Sequence, residues 1–204
     1  MANGPKKLLI ATNNAGKIAE LKAMLAGISV ELLCLTDFPD AVEVAETGLT
    51  FAENAALKAT DYALQTGQYA LADDSGLEVT ALGGRPGVFS ARYGGEGTSF
   101  KEKMELLLAE MAESGIADRS ARFVCSIAIA DADGNIVAVA EGVCEGAIAA
   151  APRGDGGFGY DPLFVPDGYN QTFGELSGSV KQKISHRSQA FRQIIPFLGH
   201  FSTL

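Results

Sequence analysis

Long apolar runs are absent from this 204-residue chain, and no stretch approaches the ~18 residues that a membrane-spanning helix requires, so no membrane partner is expected. Positive charge is also scarce. Sixteen Lys and Arg stand against 25 Asp and Glu, a net charge of −9. That balance argues against a surface that holds nucleic acid by neutralising many phosphates, and no stable nucleic acid partner is expected. Cysteine is sparse and odd in number: Cys34, Cys125 and Cys144 contain no Cys-x-x-Cys pair, and the apolar stretch before Asn13 is too short for a secretory signal. A cytoplasmic, reducing location is expected. What the chain has in excess is glycine, 24 residues, well above the usual share of ~7%. These glycines cluster in short groups without a fixed period, which excludes a collagen-like repeat and points to binding loops built from backbone. The length suits one sizeable domain, or two small lobes.

The charges are unevenly spread. From Ala23 to Leu57 there is no Lys or Arg, while Glu31, Asp37, Asp40, Glu43, Glu46 and Glu53 all fall there; after Glu175 there is no acid, and Lys181, Lys183, Arg187 and Arg192 follow. A divalent cation suits the first stretch and an anionic ligand the second.

Apolar periodicity and punctuation predict the elements. Lys7 to Ala11 reads as a strand, followed by a turn at Asn13, Asn14 and Gly16 and a helix to Gly27. Val30 to Leu35 reads as a second strand. Thr50 with Glu53, and Ser99 with Glu102, are capping boxes that open helices, the first to about Gln65 and the second stopping at Gly115. Tyr69 to Ala72 reads as a strand running into Asp73, Asp74, Ser75 and Gly76. Arg122 to Ala130 and Ile136 to Cys144, joined through Asp133 and Gly134, predict a long twisted β-hairpin. Gly154 to Pro162 is a glycine-rich loop, Leu163 to Val165 a short strand, and Val180 to Leu198 a basic helical tail. This order predicts an α/β class with a mixed twisted sheet and flanking helices, with two lobes around a central cleft as the simplest arrangement.

Four segments carry chemical potential. Thr12 to Lys17 lies where α/β proteins bind anions, beyond a strand end and before a helix, yet it equally suits an ordinary strand-to-helix turn. It is not a Walker A loop, because Ala11 stands at the first glycine position and Ile18 follows Lys17. No Gly-x-Gly-x-x-Gly follows the first strand, which removes a Rossmann dinucleotide site. Asp73 and Asp74 end an apolar strand; because neighbouring strand residues point to opposite faces they need not share a task, and periodicity does not choose between them. A carboxylate there, with Glu46 and Glu53 available, suits Mg2+, although Glu53 is better explained as a helix cap. Gly156 to Pro162 surrounds Phe158 and Tyr160 with glycines, an arrangement compatible with an exposed stacking platform as well as with core. Lys181, Lys183, Ser185, His186 and Arg187 form a basic cluster that reads as a solvated helix face or an anion contact.

Taken together, these segments resemble the inosine triphosphate pyrophosphatase family, whose members hydrolyse non-standard purine nucleoside triphosphates such as ITP, dITP and XTP. The resemblance is carried in register by Thr12 to Lys17, Glu46 to Phe51 with Glu53 to Ala55, Asp73 to Leu77, Gly87 to Tyr93, Gly157 to Phe164, and Lys181 with Ser185, His186 and Arg187. It implies one nucleoside triphosphate pyrophosphatase domain over residues 1–204, a homodimer, and Mg2+-dependent cleavage between the α and β phosphates. It further implies Asp74 as general base and metal ligand, and Ser75 as a substrate contact. Thr12, Asn13, Asn14, Ala15, Gly16 and Lys17 would hold phosphates, Phe158, Gly159, Tyr160 and Asp161 the base and sugar, and Lys181, His186 and Arg187 further parts of the substrate. Asn13 stands where many relatives carry Gly, a substitution compatible with positive φ. Ala45 stands where a second Glu is frequent in that family, so the metal's glutamate ligand would be Glu46 or come from elsewhere. Arg187, a pure donor, suits the 6-keto oxygen of hypoxanthine or xanthine and disfavours adenine's amino group, with Lys17 and Lys181 on phosphate.

Overall fold

The computed structural model describes residues 6–201. The apolar tetrapeptide Lys7–Ile10 forms strand β1 and pairs in parallel with β2 (Glu31–Cys34) and β3 (Tyr69–Val79). Parallel neighbours need crossovers, and helices α1 (Ala15–Leu25) and α2 (Phe51–Thr66) supply them. Strands β4 (Ser120–Ala130) and β5 (Ile136–Ile148) are sheet neighbours joined by a tight turn, in which one carboxylate oxygen of Asp131 accepts the amides of Asp133 and Asn135. This is the expected hairpin. β6 (Phe164–Pro166) pairs antiparallel with β5, and the six-stranded mixed sheet has the order β2-β1-β3-β4-β5-β6. Helices α3 (Phe100–Ser114), α4 (Gly178–Ile184) and α5 (His186–Phe201) complete an α/β protein. No helix among the described residues is long and apolar enough to cross a membrane.

The chain divides into two compact units. The first takes in the described residues up to Asp74, Cys125–Gly142, and those from Arg187 on; the second is Ser75–Val124 with Val143–His186. Within the first unit, strand alternation sorts the core into two layers. Leu8, Ile10, Leu71, Cys125, Ile127 and Ile129 pack with Leu21 and Leu25 of α1 and Phe191 and Ile194 of α5. Leu9, Ala11, Ala70 and Ala72 pack with Ala55, Ala59 and Ala63 of α2. Small residues on both the helix and the strands of this layer let α2 lie close to the sheet. The capping box at Thr50 is present: Thr50 Oγ1 accepts from the Glu53 amide while Glu53 Oε2 accepts from the Thr50 amide. In the second unit, Met104, Leu107 and Met111 of α3 cover Leu77, Val79, Phe123, Phe164 and Phe173.

Two expectations are corrected here. β3 does not stop at Ala72 but continues through Asp73, Asp74, Ser75 and Gly76 to Val79. Polar residues and a glycine read as turn signals, but Leu77 and Val79 are buried and resume the apolar pattern, so both carboxylates stand inside a strand. The basic tail is two helices, broken where Ser185 takes extended backbone (φ −64°, ψ 152°). A one-residue break with neither Gly nor Pro leaves little trace in periodicity. Among the described residues no residue other than glycine has positive φ, so Asn13 keeps its place without left-handed backbone.

Candidate active site

Consecutive strand residues face opposite sides, and this separates Asp73 from Asp74. Asp74 continues the row of Ala70 and Ala72 that faces α2, whereas Asp73 continues the row of Leu71 that faces α1 and α5. Each carboxylate therefore meets the polar side chains of the helices on its own side.

On the α2 side, Lys58 Nζ lies 3.2 Å from Asp74 Oδ1 and 2.6 Å from Glu46 Oε1. One turn earlier on the same helix face, Asn54 Nδ2 donates to Asp74 Oδ2 at 3.2 Å. Glu46 comes from the acidic loop between β2 and α2, and the end of that loop is tied down where Gly48 N–H donates to Asn54 Oδ1 at 2.8 Å. A Cβ on Gly48 would sit 2.7 Å from that oxygen, so the close approach requires glycine. Burial raises the Asp74 carboxyl above its ordinary value and nearby Glu46 adds to the rise, while Lys58 and Lys17 only partly offset it. For Lys58 burial acts downward, but Asp74, Asp73 and Glu46 outweigh it and keep the amine charged.

On the opposite side, Asp73 Oδ2 accepts from Lys17 Nζ at 3.1 Å and from Arg187 Nε and Nη2 at 3.2 and 3.1 Å. Arg187 Nη1 reaches Glu20 Oε2. Burial alone would raise the Asp73 carboxyl; Lys17, Arg187 and Lys58 together hold it far below the usual carboxylate range. The two neighbouring aspartates thus have opposed acidities set by their opposed faces, which gives one a permanent charge and the other basicity. The loop leading into α1 is capped by its own residues: Asn14 Oδ1 accepts from Lys17 N–H, and Thr12 Oγ1 accepts from Asn14 N–H. Asn13, Asn14 and Ala15 are exposed, and no acid stands in the first turn of α1.

Two carboxylate oxygens, one from Glu46 and one from Asp74, thus converge on the Lys58 ammonium. No group of three or more His, Cys, Asp or Glu side chains converges on a metal position among the described residues. A pair of carboxylates fits Mg2+, which keeps several waters and completes its shell with substrate phosphates.

In the second unit, Asp161 Oδ2 accepts from the Phe158 amide at 2.7 Å and from Lys181 Nζ at 2.6 Å. The Lys181 ammonium lies 4.5 Å from the centroid of the half-buried Phe158 ring. Gly157 has φ 71°, and a Cβ there would collide with the Asp161 carboxylate. Of the two readings open for these rings, stacking platform or core, Tyr160 takes the core: it is buried, packs edge-on against Phe100 and donates its hydroxyl to Ser90 O at 3.0 Å. Its flanking glycines serve backbone turns, and the ring goes where apolar area is covered. Ser75 is half-buried; Lys181, Ser185 and His186 are buried, with the His186 ring stacked on Phe123. Apart from the exposed Lys183, the basic cluster is therefore not a solvated helix face. Glu53 is a cap, its carboxylate taken by the amides of Leu49 and Thr50.

Sequence reading missed Lys58, Asn54 and Glu20. Their trace is spacing: Asn54 and Lys58 stand four apart behind a capping box, and Glu20 stands three after Lys17.

The arrangement defines a class: a mixed α/β protein with a carboxylate pair and lysines placed behind a strand-to-helix loop suited to anions. The chain belongs to the Ham1 family, whose model matches residues 8–197. It is 48% identical over 196 residues to a dITP/XTP pyrophosphatase of Exiguobacterium sp., covering 94% of this chain and 98% of that protein. It is 49% identical to the dITP/XTP pyrophosphatase of Geobacillus kaustophilus, covering 93% and 92%. Among solved structures, a HAM1 protein from Coxiella burnetii superposes with a TM-score of 0.88 at 40% identity, covering 95% of this chain and 98% of that one. A nucleoside-triphosphatase, dITP/XTP pyrophosphatase, from Mycobacterium abscessus gives 0.75 at 44% identity, covering 94% and 99%.

Proposed function

We propose that this chain hydrolyses non-standard purine nucleoside triphosphates, dITP, ITP and XTP, to the monophosphate and pyrophosphate, with Mg2+ as cofactor, clearing them from the nucleotide pool of the cytoplasm. Residues 1–204 serve as one catalytic domain, and the active form is a homodimer, on the strength of the resemblance. Family membership and near-50% identity to dITP/XTP pyrophosphatases support the substrate class. The observation that carries the chemistry is the meeting of Glu46 and Asp74, itself a carboxylate of raised basicity, at the Lys58 ammonium.

Glu46 and Asp74 would hold the metal, which when bound offsets triphosphate charge and polarises the phosphoryl oxygens. Asp74 accepts the proton of the water that attacks the α phosphorus in line with departing pyrophosphate, so no protein nucleophile is required. Burial keeps that carboxylate more basic than a solvated one. The loop from Thr12 to Gly16 holds the phosphates at the start of α1, with the amides of Asn13, Ala15 and Gly16 offered to them, Thr12 and Asn14 shaping the loop, and Lys17 adding charge. Ser75 contacts substrate beside the base. Phe158 offers its ring to the purine, Gly159, Tyr160 and Asp161 frame the base and sugar, Lys181 and His186 complete the substrate contacts, and Arg187 serves the site through Asp73, whose carboxylate it holds.

A panel of dITP, XTP, dGTP and dATP, with separate assays for pyrophosphate and orthophosphate and with Mg2+ present or chelated, tests this reading. The expected products are monophosphate and pyrophosphate, with dITP and XTP preferred and turnover lost on chelation. Release of nucleoside diphosphate and orthophosphate would overturn it.

A further inference from the structure

Asn54 is fully buried, at 0% exposure, within helix α2, a place where an asparagine costs helix propensity and where an unpaired amide is penalised. Both ends of its side chain are engaged. The Gly48 amide can only donate, so the atom it meets at 2.8 Å is the Asn54 carbonyl oxygen, and this forces the NH2 group toward Asp74 Oδ2 at 3.2 Å. The two oxygens of Asp74 are thereby assigned to different partners: Oδ2 to Asn54, and Oδ1 to the position that Lys58 shares with Glu46. One side chain also couples the end of the Glu46 loop to the carboxylate opposite it, since the oxygen that holds Gly48 and the nitrogen that holds Asp74 belong to one rigid amide. Rotation of the Asp74 carboxylate would break the Asn54 contact, and withdrawal of the loop would break the Gly48 contact.

We propose that Asn54 is the positioning residue of this site, setting the plane of the Asp74 carboxylate and keeping Oδ1 turned to the cationic position while it anchors the loop that carries Glu46. This rests on the assignment of Asp74 as the base. Asn54 touches no reacting atom; it acts through Asp74. A role confined to anchoring the loop would need only the carbonyl oxygen, so the two halves of the amide can be tested apart.

Asn54→Asp keeps an acceptor for Gly48 but turns a carboxylate toward Asp74 in place of the donor. In this variant kcat for dITP at saturating Mg2+ should fall ~10- to 100-fold with KM within about threefold, while limited proteolysis leaves the 38–48 loop as protected as in the parent. Asn54→Ala should lose kcat similarly and also expose that loop. Retention of kcat within about threefold by Asn54→Asp would overturn the proposal and leave Asn54 a loop anchor. If Asn54→Asp melts too low to assay, the exchanged pair Asn54→Asp with Asp74→Asn is read by melting temperature: the donor and acceptor are then restored in reverse, and recovery toward the parent supports the contact, whereas no recovery overturns it. Asp74→Asn alone separates the two claims. If it is active, the assignment of the base has failed; if it is inactive while Asn54→Asp turns over normally, only the positioning role has failed.

Discussion

Arg187 places its Nε and Nη2 on one oxygen of Asp73 and its Nη1 on Glu20, so these three guanidinium nitrogens are turned to carboxylates within the first unit. Its side chain is 2% exposed and that of Asp73 0%. A guanidinium in this setting holds Asp73 ionised more than it reads a 6-keto oxygen, and the geometry shifts the expected consequence of its removal. Arg187→Ala leaves a buried carboxylate without its principal hydrogen-bond donor, a loss of about 3–5 kcal/mol in stability by analogy with broken buried ion pairs. Turnover should fall in parallel for dITP and dATP. Thermal melting and kcat/KM for both nucleotides check this: a stable variant with a selective loss on dITP would restore Arg187 to base discrimination.

At the scale of the element, two loops depend on glycines that are irreplaceable for different reasons. Gly48 must let the end of the Glu46 loop approach Asn54, a steric demand. Gly157 meets both demands at once, since its φ is in the left-handed region and its missing Cβ leaves space for the Asp161 carboxylate. That carboxylate links the Phe158 amide to the Lys181 ammonium, so the segment from Gly157 to Asp161 is held as one piece. Gly157→Ala should displace Asp161 and let the Phe158 ring drift. Because stacking on an aromatic ring is worth on the order of 1–3 kcal/mol per base, KM for dITP should rise ~10-fold with kcat nearly unchanged. Steady-state kinetics decide; a fall in kcat at constant KM would place the loop in the chemistry instead of in base binding.

At the scale of the whole molecule, the opposed aspartates make opposed contributions to acid stability. The folded-state pKa of Asp73 is depressed, so its stabilisation is fully present above the ordinary carboxylate range and is lost as pH falls below it, when the unfolded chain takes up the proton first. The folded-state pKa of Asp74 is raised, so its contribution has the reverse sign: it favours the folded state in acid and fades as pH rises through the folded value. Lys17 and Arg187 face Asp73 and hold it ionised, and the charge of Lys58 acts on it from the other side of the strand. Melting temperatures from about pH 6 to about pH 3 should fall more steeply for the parent than for Asp73→Asn, which has no carboxyl to protonate at that position. Parallel curves would show that Asp73 carries no such linkage.

The α/β class, the capping boxes at Thr50 and Ser99, the hairpin turn at Gly134 and the loop before α1 were legible in the sequence, because each arises from interactions within a few residues or from a repeating apolar pattern. The stretch that carries Asp73 and Asp74 was also visible as unusual. Which aspartate faces which helix was not. Alternation dictates only that they differ, and their partners come from residues 16 positions away, Lys58 to Asp74, and 114 positions away, Asp73 to Arg187. The continuation of β3 through four polar or small residues, the burial of Tyr160 and Arg187, and the double engagement of Asn54 were likewise decided by tertiary packing. A polar side chain in a sequence window carries no record of the remote partner that makes its burial tolerable, and only the folded chain supplies that partner.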